Sequence, residues 1–147
     1  MRAHLIYSPP WGAAPDIDYT AILKNWTTWL GRRGLGDDWV RVGGMFTDLG
    51  PDVDAIFRAT SAPYTGWSGF NYDTGIPKDR MVEFMTEAAR NSIRIAVIGA
   101  GFLDLFETVN RKVPIEGMRW IIGHLDVLDE NQIKKAADLG VVMTTHT

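Results

Sequence analysis

Cysteine is absent from this chain, which excludes disulfides and thiolate metal sites and makes a reducing, cytoplasmic setting the expectation. Long apolar runs are missing too. No stretch could span a membrane, and the opening Met1-Arg2-Ala3-His4-Leu5-Ile6-Tyr7 lacks the apolar core of a signal peptide. A membrane is therefore not an expected partner. There is no excess of positive charge: 15 Lys and Arg face 18 Asp and Glu, for a net charge of −3. Phosphate backbones require a basic face, so nucleic acid is not an expected partner either. Histidine is scarce, with three in all, and no His-x-His or His-x-x-x-His pair occurs. The Asn25-Trp26-Thr27 sequon falls in an amphipathic helical pattern and reads as chance.

What remains is an ordinary globular composition, 46% apolar and 22% charged over 147 residues. That length suits one domain, 1–147, able to bury about two thirds of its unfolded surface. Strand and helix patterns alternate. Ala3–Tyr7 reads as a strand broken by Pro9-Pro10, and Asp18–Leu30 as an amphipathic helix with Tyr19, Ile22, Leu23, Trp26, Trp29 and Leu30 at helical spacing. Trp39–Phe46 is the second strand, weakened by Gly43-Gly44. A helix follows Pro77, with Met81, Phe84, Met85 and Ala88 inward. Ile93–Ile98 is a buried strand, and Phe102, Leu103, Phe106 and Val109 mark the next helix, stopped by Pro114. Met118–Gly123 is the fourth strand. Asp129 with Gln132 predicts a capping box, Gly140 a helix stop, and Val141–Thr145 the fifth strand. Five strands alternating with four helices imply a parallel sheet with right-handed crossovers.

One stretch is irregular. Residues 47–76 hold Gly50, Pro51, Pro63, Gly66, Gly69 and Gly75 together with Tyr64, Trp67, Phe70 and Tyr72. A loop of that length in a small domain is usually functional. Its aromatics suit a lid over an apolar ligand, or a cover over core.

The chemistry-bearing residues fall mainly where strands end, which is where ligand sites form in parallel α/β proteins. His124 and Asp126 follow the fourth strand, and His146 follows the fifth. A histidine there can ligate metal or act as a base, or can serve as a hydrogen-bonded structural residue. Asp48 follows the second strand as a pocket carboxylate or turn residue, and His4, at the start of a strand, is read as structural. Gly99-Ala100-Gly101 after a strand suggests a dinucleotide turn. The third glycine position, however, is Asp104, which would crowd helix against strand and repel a pyrophosphate; a tight turn without cofactor is the preferred reading.

Arg119-Trp-Ile-Ile-Gly-His124, followed by Asp129-Glu-Asn-Gln-Ile-Lys-Lys-Ala-Ala-Asp-Leu-Gly140-Val-Val, resembles the "R-x-x-I-E-H … R-x-A-x-L-G-V" segment of the amidohydrolase superfamily, in its amidohydrolase-3 (YtcJ-like) branch. Ala96-Val-Ile-Gly99-Ala100 with Leu103 and Glu107 resembles that branch's "H-A-I-G-D-x-A … E" segment. Met45-Phe46-Thr47-Asp48 with Ala62-Pro63-Tyr64 resembles its "K-x-x-x-D-G … PY" stretch. The resemblance covers about residues 36–147 and is strongest over 118–143.

It implies a metallo-dependent hydrolase-like, partial (β/α)8 TIM barrel, with Ala3–Tyr7 as the third barrel strand and Val141–Thr145 as the seventh. In the family a divalent, zinc-type metal activates water to attack a C–N bond. His124 matches the sixth-strand ligand. The family also draws metal ligands from a lysine or acidic residue on the fourth strand and a histidine on the fifth; here the fourth-strand position reads Gly44, the fifth-strand histidine Ala96, the aspartate after it Ala100, and the glutamate before the sixth-strand histidine Gly123. His124 is thus the only surviving metal-ligand position, and the expectation is that this chain binds no metal tightly.

An incomplete barrel has unpaired edges. The expectations are a fragment of a longer protein, closure by self-association or a complementary chain, or relaxation into an open doubly wound sheet. The functional readings are an amidohydrolase-like hydrolase segment, or a non-catalytic small-molecule binding or interaction domain with an aromatic-lined pocket. A nucleotide-binding domain using Gly99-Ala100-Gly101 is the remaining reading. If the chain is active, an amide-like small molecule is the substrate, His124 and Asp48 are catalytic, and Tyr64, Trp67, Phe70, Tyr72 and His146 form the pocket.

Overall fold

Short apolar runs separated by helices leave a chain few options but parallel pairing, because each connection is long enough for a crossover. The computed structural model describes residues 1–8, 16–50, 75–125 and 127–145. In chain order its elements are β1 (Ala3–Tyr7), α1 (Tyr19–Leu30), β2 (Leu35–Gly36), β3 (Val40–Phe46), β4 (Asp48–Gly50), β5 (Gly75–Pro77), α2 (Lys78–Arg90), β6 (Ile95–Ile98), α3 (Phe102–Asn110), β7 (Ile121–Leu125), α4 (Glu130–Asp138) and β8 (Val142–Thr145). No described helix is long and apolar enough to cross a membrane.

The main sheet runs β1-β3-β6-β7-β8, every neighbouring pair parallel. Its order follows the chain without reversal. Right-handed crossovers that all step one way place their helices on one face of the sheet. Accordingly α1 packs on α2, α2 on α3 and α3 on α4. A doubly wound sheet instead reverses direction at a switch point, and the described strands contain none. The architecture is a mixed α/β half-barrel of five parallel strands and four helices, not the open doubly wound alternative.

Three local features depart from the sequence reading. Leu35–Gly36 pairs antiparallel with the first half of β3, occupying the edge that β6 takes further along. The two ends of the long irregular stretch are ordered: β4 and β5 form a separate parallel pair, Asp48 to Gly75 and Gly50 to Pro77. The strands also begin late, at Ile95 and Ile121 instead of Ile93 and Met118.

The helix starts follow local chemistry. The Asp18 carboxylate accepts from the Ala21 amide at 3.1 Å. Asp129 and Gln132 form the reciprocal capping box, with the Asp129 carboxylate accepting from the Gln132 amide at 2.8 Å and the Asp129 amide donating to Gln132 Oε1 at 3.0 Å. Gly140 sits just after α4 with φ +65°, the left-handed conformation that suits glycine after a helix.

The core lies between sheet and helices. Met45, Ile95, Val97, Ile122 and Leu125 meet Leu23, Leu30, Phe84, Met85 and Phe106 there. Trp120 is its largest fully buried side chain. It packs edge-on against Phe106, ring centroids 4.8 Å apart, and its indole N–H donates to the Ile93 carbonyl at 3.1 Å. That hydrogen bond is what allows an indole to be fully buried.

Two bulges shape the inner face. Leu5 pairs with Val42 but Tyr7 with Met45, so β3 takes three steps where β1 takes two. The extra residue falls at Gly43-Gly44. Likewise Ile122 pairs with Met143 but Leu125 with Thr145, which places the extra residue at Gly123-His124. Each bulge resets the alternation, so Val42 and Met45, and again Ile122 and Leu125, all pack toward the helix-side core.

Candidate functional site

The C-terminal ends of the strands carry the residues singled out by sequence. His124 stands in the β7 bulge with φ +56°, a conformation uncommon outside glycine, and is half-buried. Bulges of this kind re-aim a side chain at the rim of a barrel. Asp48 opens β4 and is also half-buried; its Oδ1 accepts from the Leu49 amide at 2.8 Å. β3 ends just before it, and the Thr47 amide donates to the Ala96 carbonyl at 3.1 Å. The ends of β3 and β7 flank β6, so two strand spacings, roughly 10 Å, separate their backbones. Tyr64, Trp67, Phe70, Tyr72, Asp126 and His146 lie outside the described residues.

The positions that resemble metal ligands do not supply a donor set. A Cβ on Gly44 would stand 2.7 Å from the Arg94 carbonyl oxygen and 3.2 Å from the Arg94 Cβ. Ala96 is buried between Phe46 and Ile121 in the sheet register. A Cβ on Gly123 would meet Thr144 Oγ1 at 3.1 Å. Among the described residues no three histidine or carboxylate side chains converge as a metal centre requires. Among the described residues, the side chains at these positions do not fit the zinc-type group that the resemblance implies.

The glycine turn is structural in its contacts. Gly99 has φ +90°, and its amide donates to the Gly123 carbonyl at 2.9 Å, so that N–H is engaged by β7. Asp104 does not crowd helix against strand, as its place in the fingerprint suggested. It is exposed on α3 and pairs with Lys135 of α4 at 2.7 Å, which holds its carboxyl below the usual range. Glu107 is a second partner of the same ammonium, at 3.2 Å.

The opposite end of the sheet was not singled out by sequence. Arg41 is the second residue of β3, Arg94 immediately precedes β6, and Arg119 stands two residues before β7. With His4 of β1 they line an open cavity of about 810 Å³, shared with Arg32 and Arg33. Arg94 Nη1 lies 3.3 Å from Nε2 and 3.5 Å from Nδ1 of His4. His4 also fills the space above Gly43, where a Cβ would come within 2.1 Å of its Nε2. Its structural reading therefore has a packing basis, and to that is added a strongly cationic setting. Burial, then the Arg94 and Arg41 guanidiniums, lower the His4 pKa. Burial, then Arg119 and Arg41, lower that of Arg94. An arginine near the head of three apolar runs, at positions 41, 94 and 119, was the signal available in the sequence.

No protein-family model, curated protein or solved structure matches this chain.

Proposed function

We propose that this chain is a metal-depleted, amidohydrolase-like half-barrel that acts as a binding or interaction domain, not as a free-standing hydrolase. The observation that carries this reading is at Gly44. Where the resemblance calls for a fourth-strand lysine, the Arg94 backbone occupies the space any side chain would need. Ala96 has no donor atom, and a single imidazole at position 124 cannot hold a catalytic zinc. The incomplete cylinder supports the interaction role, because β1 and β8 each have one strand neighbour among the described residues. A second copy or a complementary chain would pair those edges.

The test is metal analysis of purified protein after incubation with zinc, iron and manganese salts, alongside assay against N-acyl and N-formyl amides. The expected result is less than one equivalent of retained metal and no hydrolysis above the metal-only background. Stoichiometric metal with amide hydrolysis, both lost in His124→Ala, would overturn the proposal and restore His124 and Asp48 to catalytic roles.

A further inference from the structure

We propose that the cavity at the N-terminal end of the strands, framed by Arg41, Arg94, Arg119 and His4, is a binding site for a phosphate-type oxyanion. Three strands of the sheet each send an arginine to this end, and the loop after α1 adds Arg32 and Arg33. Five guanidiniums face two carboxylates, Asp38 and Glu116, so the cavity carries a net charge of +3 with His4 neutral, on a chain whose own balance is −3. Asp38 approaches Arg41 at 3.7 Å from an exposed position, a weak offset.

Arg94 and Arg119 have no carboxylate partner among the described residues. Arg94 instead donates from Nε to the Met118 carbonyl at 3.2 Å, which fixes the fork and leaves Nη1 beside His4. Arg119 makes no described hydrogen bond and holds φ +54°, an unfavourable backbone for a non-glycine residue. Like charges gathered without counter-charge destabilise one another, and Arg119 and Arg41 add to burial, the larger cause, in lowering the Arg94 pKa. A multiply charged oxyanion relieves that repulsion. It also matches the planar forks of several guanidiniums better than a single carboxylate can. His4 sits beside them as a ring that gains a proton more readily once negative charge arrives. The groups facing it are Arg94, Arg41 and, across the cavity, Arg119, Asp38 and Glu116.

The experiment is calorimetric titration of the full chain with inorganic phosphate and pyrophosphate at constant ionic strength set by chloride, with the His4 imidazole followed by NMR. Saturable one-to-one binding is expected, tighter for pyrophosphate, with the His4 titration moving upward when the site is filled. Arg119→Gln should weaken binding tenfold or more and remove the His4 response. Lys134→Gln, the same charge change on the exposed face of α4, should leave both unaltered. Arg41→Gln serves as the second cavity variant, with far-UV circular dichroism confirming that each variant folds. Non-saturable heats, a His4 titration indifferent to phosphate, or equal losses in Arg119→Gln and Lys134→Gln would each refute the site. Dissociation of an assembled species by phosphate, with no binding to the monomer, would reassign the arginines to a chain–chain contact and also refute it.

Discussion

Gly44 and Arg94 compete for one position: a Cβ on the glycine would lie 2.7 Å from the Arg94 carbonyl oxygen, and the Met45 amide donates to that same carbonyl at 2.9 Å. The close approach is how β3 joins β6 across the Gly43-Gly44 bulge. It also makes residue 44 a position where backbone replaces the side chain a metal centre would use.

Gly44→Ala should therefore destabilise the fold by about 1–3 kcal/mol through overpacking. Gly101→Ala is the internal control. Its helical φ of −58° and the open space around its Cβ predict no loss, and a gain of at most about 1 kcal/mol from reduced unfolded-state freedom. Urea midpoints at equal slope would separate the two. A silent Gly44→Ala would mean that β3 and β6 are less tightly apposed than described.

Trp120 anchors the loop before β7 to the residue before Arg94. Trp120→Phe leaves the buried Ile93 carbonyl without its donor and should cost about 1–3 kcal/mol. Trp120→Ala adds a cavity beside Phe106 and should cost about 3–5 kcal/mol. Chemical denaturation followed by far-UV circular dichroism measures both.

The cap of α4 is local and should behave locally. Asp129→Ala should lose about 1 kcal/mol, while Asp129→Asn, which keeps an acceptor for the Gln132 amide, should lose far less. Equal losses would show that charge, not the hydrogen bond, stabilises this end.

Stability should depend on pH at three points. His4 resists protonation in the folded state, so the unfolded chain binds the extra proton first, and stability falls as pH drops below about 6.5. Asp104 is shifted down by Lys135. Its contribution is present above about pH 3.9 and is lost as pH falls through the folded value. Lys135 is shifted up by Asp104 and Glu107; its contribution is complete below about pH 10.4 and is lost as pH rises through the folded value. Melting temperatures against pH for His4→Gln should show a flatter slope between pH 7 and 5. For Asp104→Asn the flattening should appear only near and below pH 4.

Open strand edges should promote association. Sizing at low micromolar concentration should show dimers or larger species, weakened by Thr145→Pro: the Val142 amide donates inward to the Trp120 carbonyl, so by alternation the exposed Thr145 presents its amide to the open edge of β8, where proline cannot donate. A stable monomer at those concentrations would oppose the interaction role.

The parallel sheet was legible because its signals are local. Apolar runs of strand length, the capping aspartates Asp18 and Asp129 at the starts of α1 and α4, and Gly140 after the last helix each act over a few residues. The strand order was only partly legible. Alternation implies parallel pairing but does not distinguish one-directional winding from a reversal, since both satisfy the same crossover rule. The β4–β5 pair was hidden because its partners lie 27 residues apart and each is three residues long.

The candidate site divides in the same way. His124 and Asp48 could be placed at strand ends from periodicity, but the bulge that gives His124 its left-handed backbone depends on register with β8. Three arginines at residues 41, 94 and 119 are unremarkable in a chain of slight negative charge. Parallel pairing brings them to one end, because each heads its strand.

By itself, then, the order of residues determined where chain segments are apolar, where helices begin, and which ligand-type side chains are missing, since those properties belong to single residues and near neighbours. Tertiary structure alone decided that the strands advance in one direction, that Arg94 fills the space above Gly44, and that separated arginines share a cavity. Those are relations between distant residues, and they exist only once packing has brought the strands into register.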